Sequence, residues 1–522
     1  MSKGKKKDSQ AKKVTRREFI KTTACAGVAM TVPGIFNLLS KSAYAQSSKK
    51  TLRVVAIPHP KITPGQMTSG PAANVVGCIY DYLFRLEGKE QNFTYSLAES
   101  TEHSSDMTQW TFKLREKVKF HHGTEFTADD VIFTVNRYFD KTVASPMRAM
   151  FEHIDKIEKK DRYLVRFLLK RPDPDFLLKF LEYNTAMLAH DYDYNQFGNT
   201  KPSGTGAYKV VNMTPGQRVY MERNPDYFIR GFPKVDNLEF ILIQEPQTQL
   251  MTVEAGQADI MTWVPFDFLS RSRQNPELTL QGLPTSFHAP ISMRCDQPPF
   301  NDNRVRQAMK LVVDRKMMVQ TTVAGYGEVA NDDFIWPKSI LYNDIGIKER
   351  NIDNAKELLS KAGYPKGLDV EIHCESNKPP VMDVVLTFQQ MAKPAGINVQ
   401  IVGVTTDIYY AKYWLKAPVT CTSWGHRENP LDLLIQTVKT GVPWNEGHYS
   451  NPDLDKMLAD ALVEVDLKKR KEIVKKIQLL LSEEGPSVVP FFYNLFTVTR
   501  KRVAGFQQTR NFVNDYRFVE IV

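Results

Sequence analysis

The sequence predicts helices and strands in mixture, α/β or α+β, in two or three domains, and three observations carry that expectation. Amphipathic stripes with helical spacing recur along the chain, short apolar runs of strand character lie between them, and 522 residues exceed what one hydrophobic core holds. With 42% hydrophobic, 25% charged and 11% aromatic residues, the composition excludes a disordered or fibrous protein.

In chain order, residues 1–45 come first. They hold ten Lys or Arg and two acids, a net of +8 out of the whole chain's +10, so the other 477 residues carry only +2. The folded part shows no basic excess for nucleic acid, and no such partner is expected. The segment has the three parts of an export signal: a basic stretch to Lys21, an apolar run from Ala24 to Leu39, and the small-x-small ending Ala43-Tyr44-Ala45. Pro33, Gly34 and Asn37 interrupt the run, which is too short and too polar to span roughly 30 Å of hydrocarbon. Thr15-Arg16-Arg17-Glu18-Phe19-Ile20-Lys21 resembles the twin-arginine export motif. Cleavage after Ala45 leaves Gln46 first and places the mature chain in the periplasm, because no later stretch approaches the length of a membrane span.

Further along, Thr127-Ala128-Asp129-Asp130 reads as a capping-box variant ahead of Val131, Ile132, Val135 and Phe139. A strand is expected over 238–243. Asp353 precedes a stripe of Ala355, Leu358, Leu359 and Ala362, closed by Gly363 and Pro365, the order of cap, apolar face, C-terminal glycine and proline. Strand runs follow at 370–372 and 399–402. Asn451-Pro452 opens a helix bearing Leu454, Met457, Leu458, Ala461 and Leu462, and Ile473, Val474, Ile477, Leu480 and Leu481 mark another before Gly485-Pro486. The mature part keeps Cys78, Cys295, Cys374 and Cys421, none in a Cys-x-x-Cys spacing; a bridge between Cys374 and Cys421 and isolated buried thiols are both open.

Motifs of catalysis are absent from the sequence: no Gly-x-Ser-x-Gly, no His-Glu-x-x-His, no phosphate loop and no Gly-x-Gly-x-x-Gly. Gly204-Thr205-Gly206 reads as a tight turn. His121-His122 reads as a turn-flanking pair, since adjacent histidines on a strand face opposite ways. Asp129-Asp130 and Asp332-Asp333 read as helix-start or surface acids. No catalytic residue, metal site or cofactor is expected.

Several segments, in order through the mature chain, carry a resemblance: Ile79-Tyr80-Asp81-Tyr82-Leu83-Phe84-Arg85, Trp110 to Arg115, Val118 to Val131, Gly204 to Tyr208, Arg223-Asn224-Pro225-Asp226-Tyr227, Gly256-Gln257-Ala258-Asp259-Ile260, Asn303 to Lys316, Ala355 to Pro365, Ser423-Trp424-Gly425 and Pro486 to Pro490. Together they resemble the family 5 extracellular solute-binding proteins of ABC importers, which include dipeptide, oligopeptide and nickel receptors. The resemblance implies an α/β, two-lobed periplasmic binding protein with a hinge, class II-like and of cluster C. Lobe I would run over 46–288 with an extra subdomain near 88–200, lobe II over 289–488, and 489–522 would return to lobe I. It implies capture of a small molecule or peptide between the lobes, delivery to a membrane permease, a monomer, and no enzymatic role.

For the ligand-binding residues, the resemblance points first to Trp424, whose broad apolar face would cover a ligand. Thr68 and Ser69 would offer hydroxyls from lobe I, Tyr409 and Tyr410 fall where the family often has aromatic cleft residues, and Trp263 is a further candidate. Dipeptide members resemble one another in having an acid shortly after the cleft tryptophan and an arginine after an earlier strand. Here Arg427 stands near the first place, beside His426 and Glu428, and Glu375 near the second, beside Lys378. An uncompensated guanidinium in a closed cleft calls for an anionic group on the ligand, near Arg427 or His426. A peptide or peptide-like zwitterion is the expected ligand; a nickel chelate, opine, oligosaccharide or small organic anion is the alternative.

Overall fold

A computed structural model describes residues 50–58, 61–67 and 70–522. The export segment 1–45 and the candidates Thr68 and Ser69 lie outside the described residues.

The largest sheet has a parallel centre, with Thr51–Ala56 between Asn237–Leu242 and Ile260–Met261. Leu52, Val54 and Val55 on that strand are fully buried, as a centre covered on both faces requires. Antiparallel strands extend it: Arg218–Arg223 and Tyr208–Thr214 on one side, Phe491–Arg500 and Leu278–Phe287 on the other, with Gly327–Val329 also on Phe491–Arg500. A second sheet orders Ile397–Val404, Leu368–Glu375, Val419–Cys421, Ile291–Met293 and Ser487–Val488. Its first three strands are parallel and the remaining pairings antiparallel. A third, antiparallel sheet of Ala98–His103, Gln109–Leu114, Leu164–Leu169 and Ile154–Asp161 has a core of its own, including Phe84, Phe112, Phe167, Phe176 and Phe180. The chain passes from the first sheet to the second through 288–290 and returns through 489–490.

Helix ends follow local chemistry. Ala128–Arg137 begins on the expected capping box, with Thr127 taking the Asp129 N–H and Asp130 taking the Thr127 N–H at 2.7 Å. Asn451 caps Pro452–Val463, and the fourth stripe forms Leu467–Glu484. The helix expected after Asp353 starts two residues earlier: Asn351 accepts from the Asn354 N–H and caps Ile352–Lys361, and Gly363 ends it at φ +97.

Two expectations are corrected. Gly204-Thr205-Gly206 marks a close approach of two backbones, not a tight turn. A Cβ at Gly204 would lie 2.2 Å from the Ile79 carbonyl oxygen and one at Gly206 would lie 2.4 Å from that of Cys78, while the Gly206 N–H donates to Ile79 O at 2.9 Å. Asp332 and Asp333 are neither exposed nor at a helix start. Asp332 is buried against the Arg315 guanidinium and accepts the Val489 N–H at 3.1 Å, and burial pushes the Asp333 carboxyl up to about 7. His121 and His122 do lie in a turn, tied respectively to Gly206 O and the Ser203 hydroxyl. The four cysteines are free thiols, although Cys374 and Cys421 are register partners on neighbouring strands. Among the described residues, no helix is long and apolar enough to cross a membrane.

Candidate functional site

Aromatic side chains gather where the chain crosses between the two larger sheets. Phe287 and Tyr493 are register partners on the strands that flank the crossings, with ring centroids 5.7 Å apart. Trp263, half-buried, packs 6.0 Å from Phe287 and 5.5 Å from Phe512, and Phe512 meets Phe287 edge-on at 5.4 Å. From the second sheet's side, Trp424 is held by a two-way backbone bridge to His288: its N–H donates to His288 O at 2.9 Å and its carbonyl accepts the His288 N–H at 3.3 Å. Its indole rests 5.9 Å from Trp444, and its neighbour Ser423 shares a 2.6 Å hydrogen bond with the Tyr493 hydroxyl. Burial of His288 in this crossing holds its imidazole down at about 4, so it is neutral at pH 7.

Two opposite charges border these rings. Glu375 ends the strand Leu368–Glu375 and is fully buried. Its Oε2 accepts from the Thr422 hydroxyl at 2.6 Å and the Lys378 ammonium at 3.1 Å, whereas Oε1 has no partner among the described residues. Burial alone would lower Lys378, but Tyr410 and Glu375 outweigh it and hold the ammonium above its ordinary range. Arg427 lies at the other border, its side chain 11% exposed and its Nε 3.5 Å from Glu182 Oε1. The guanidinium expected to lack compensation therefore has it, from a carboxylate 245 residues away in sequence. The contact is loose: Nε makes no hydrogen bond among the described residues, and Nη1 donates to His426 O at 3.0 Å. Burial raises the Glu182 carboxyl despite the Arg427 cation beside it, and it raises the neighbouring Tyr183 phenol in the same way.

The remaining sequence candidates separate. Tyr410 is 40% exposed, with its ring 5.2 Å from Trp414, while Tyr409 is wholly buried and belongs to the core. His426 is buried with both ring nitrogens occupied. The Ser286 N–H donates to Nδ1 at 3.0 Å, which leaves the proton on Nε2, 2.9 Å from Glu428 Oε1. It holds the Arg427 loop rather than offering a free donor. Around Thr68 and Ser69, Met67 exchanges two hydrogen bonds with Asn184, and Gly70 abuts Phe512 so closely that a Cβ would sit 2.6 Å from that ring.

Sequence reasoning passed over Glu182, Phe287, Tyr493, Phe512, Trp414, Trp444 and Glu446. Only the density of aromatics at 409–414 and 491–496 signals Trp414 and Tyr493 locally; the others carry no local signal. Among the described residues, no three His, Cys, Asp or Glu gather to hold a metal ion. The arrangement offers aromatic faces bordered by a buried carboxylate and a loosely paired guanidinium, which suits a small molecule with both apolar and charged parts.

Residues 92–446 match the family described as bacterial extracellular solute-binding proteins, family 5. The glutathione-binding protein GsiB of Pectobacterium atrosepticum is 26% identical over 476 residues, 88% of this chain and 92% of its own. Among solved structures, the fold is shared with the periplasmic binding protein AgaA of A. tumefaciens in complex with agropinic acid (TM-score 0.80, 22% identity, 90% of this chain and 99% of that one). It is shared equally with DppA of Helicobacter pylori in complex with the peptide STSA (TM-score 0.81, 23% identity, 91% and 98%).

Proposed function

Because the chain belongs to the bacterial extracellular solute-binding proteins, family 5, we propose that it captures a peptide or peptide-like zwitterion between its two large sheets and delivers it to an ABC transporter permease. The two sheet systems act as lobes, 46–288 with 489–522 against 289–488, hinged at the crossings near 288–290 and 489–490, with the four-stranded sheet as a subdomain of the first. Residues 1–45 serve as a twin-arginine signal removed after Ala45, and the mature protein works in the periplasm as a monomer. Its work is binding and release, a population shift between open and closed forms with no bond made or broken.

The observation that carries this reading is the pair of buried, oppositely charged groups: Glu375, whose Oε1 has no hydrogen bond among the described residues, and Arg427, whose Nε meets only the loose Glu182 contact at 3.5 Å. An unpaired buried polar atom costs about 1–3 kcal/mol, more when charged, and a ligand bearing both a carboxylate and an ammonium satisfies the two. Trp424, Tyr410 and Trp263 would cover its apolar part. A relative named for glutathione and a fold neighbour holding a tetrapeptide support a peptide-like ligand.

The test is calorimetry with the solute that co-purifies. Arg427→Ala, made in a Glu182→Gln background so that no carboxylate is left stranded, is expected to weaken binding about ten-fold or more, the loss of one charge-assisted hydrogen bond. Equal affinities in the two backgrounds remove Arg427 from the site.

A further inference from the structure

Three tryptophans border the site from separate segments, and one carboxylate lies behind them. Glu446 is 5% exposed in the loop between the helices Pro430–Thr437 and Pro452–Val463. Its Oε1 accepts the Trp414 indole N–H at 2.7 Å, and Trp424 and Ser292, whose hydroxyl pairs with that of Ser487 at 3.1 Å, lower the same carboxyl electrostatically. Trp444 fills the space between, 6.5 Å from Trp414 and 5.9 Å from Trp424, and Tyr410 meets Trp414 edge-on at 5.2 Å. The backbone beside Glu446 is pinned. A Cβ at Gly447 would lie 2.3 Å from Pro486, and Gly447 O accepts the Cys295 N–H at 2.7 Å.

We propose that Glu446 is a positioning residue, whose carboxylate fixes the Trp414 and Trp424 indoles and thereby the aromatic wall of the ligand site. Without it, the Trp414 indole N–H would lose the acceptor it has here. As an anion it is a pure acceptor for the Trp414 N–H; once protonated it carries a hydrogen of its own that needs an acceptor in turn. Burial, partly offset by the Trp414 hydrogen bond and by Ser292 and Trp424, raises its carboxyl to about 7. The charged and titratable groups facing it are Lys378, which pairs with Glu375, together with Tyr409 and Cys421. On its own loop, His448 turns to Asp296 and Leu415 O. Among the described residues, no cation is paired directly with Glu446, and the Trp414 indole is the group its carboxyl is hydrogen-bonded to.

That the wall touches ligand rests on the function proposed above; the ordering of the indoles does not. The experiment is therefore run without ligand, as near-ultraviolet circular dichroism of the indole bands from pH 5 to 9. The parent is expected to show a transition with its midpoint near pH 7, and Glu446→Gln, which keeps an acceptor but cannot charge, is expected to be flat. Trp414→Phe and Trp424→Phe should each reduce its amplitude. The buried carboxyl of Asp333 lies three residues from Trp336, so Asp333→Asn is the control. A parent that is flat across the range, or a transition that survives in Glu446→Gln and vanishes in Asp333→Asn, overturns the assignment. Failure to find any bound solute would count against the proposed function while leaving this result untouched. Thermal stability gives a second readout: a carboxyl raised by folding stabilises most below its unfolded value and loses that contribution as pH rises through about 7. The melting temperature of Glu446→Gln relative to the parent should thus climb between pH 5 and 8.

Discussion

Arg470→Ala is expected to open the molecule, with a larger radius of gyration by small-angle X-ray scattering than the parent shows in the same buffer. Arg470, on the helix Leu467–Glu484, forms a bidentate pair with Asp175, which follows the four-stranded sheet, and also donates to Ala461 O at 2.7 Å. Asn429 donates to the same carboxylate at 2.9 Å. Beside it, Lys179 is buried between Asp432 at 3.0 Å and Asp173 at 3.4 Å. Burial would raise Asp173, but Lys179 and His153 hold its carboxyl down at about 2, so it is ionised at any working pH. Removing one partner of a buried pair costs about 3–5 kcal/mol because the other charge stays behind, unpaired. These contacts join the subdomain to helices on the far side of the proposed hinge, so opening exposes the stranded acid to water and avoids that cost. The closed population should fall by roughly a hundred-fold or more. Lys179→Met should act in the same direction, and scattering curves that superimpose on the parent's would show that the network does not span a moving boundary.

Gly206→Ala should damage folding itself. Its Cβ would meet the backbone of Cys78 and Ile79 at 2.4 Å, and neither belongs to a flexible side chain: both stand at the end of the helix Ala73–Ile79, every residue of which is buried. The neighbouring Thr205 hydroxyl reaches Asp81, which pairs with Arg85 at 2.7 Å, so the strand after Gly206 cannot retreat without breaking a buried ion pair. The loss should equal or exceed the roughly 1–3 kcal/mol of an overpacked core, read as a drop in melting temperature and soluble yield. Gly123→Ala is the contrast, since nothing lies within 4 Å of its Cβ; its cost is confined to the strain of φ +107.

Local features were legible from residues alone. The Thr127 capping box, the Asn451-Pro452 helix start and the strand runs at 238–243, 370–372 and 399–402 all depend on neighbours a few positions away, and each falls within a residue or two of its observed element, or inside it. Asp332-Asp333 was not legible, because an adjacent acid pair looks the same whether it faces water or lies against Arg315. The decisive fact is burial, which only the packed chain supplies. Tyr409 and Tyr410 make the same point, one wholly buried and the next 40% exposed. The charge pattern was half legible. Arg427 and Glu375 stood out as departures from the pattern of dipeptide receptors, but the Glu182 that answers Arg427 comes from the other side of the crossing with no local signal. Glu446 likewise reads as an ordinary loop acid until the Trp414 indole, 32 residues away in sequence, is seen donating to it.

The most direct test of the central claim is native mass spectrometry of the protein purified without denaturation. Capture between two lobes predicts a discrete mass above that of the chain, released on gentle activation as a peptide or a ladder of peptides, and diminished in Arg427→Ala made with Glu182→Gln. A bound metal chelate, sugar or small acid in place of a peptide would contradict the zwitterion reading of Arg427 and Glu375. A chain that never carries or accepts a solute across a panel of peptides and such small molecules would contradict capture itself.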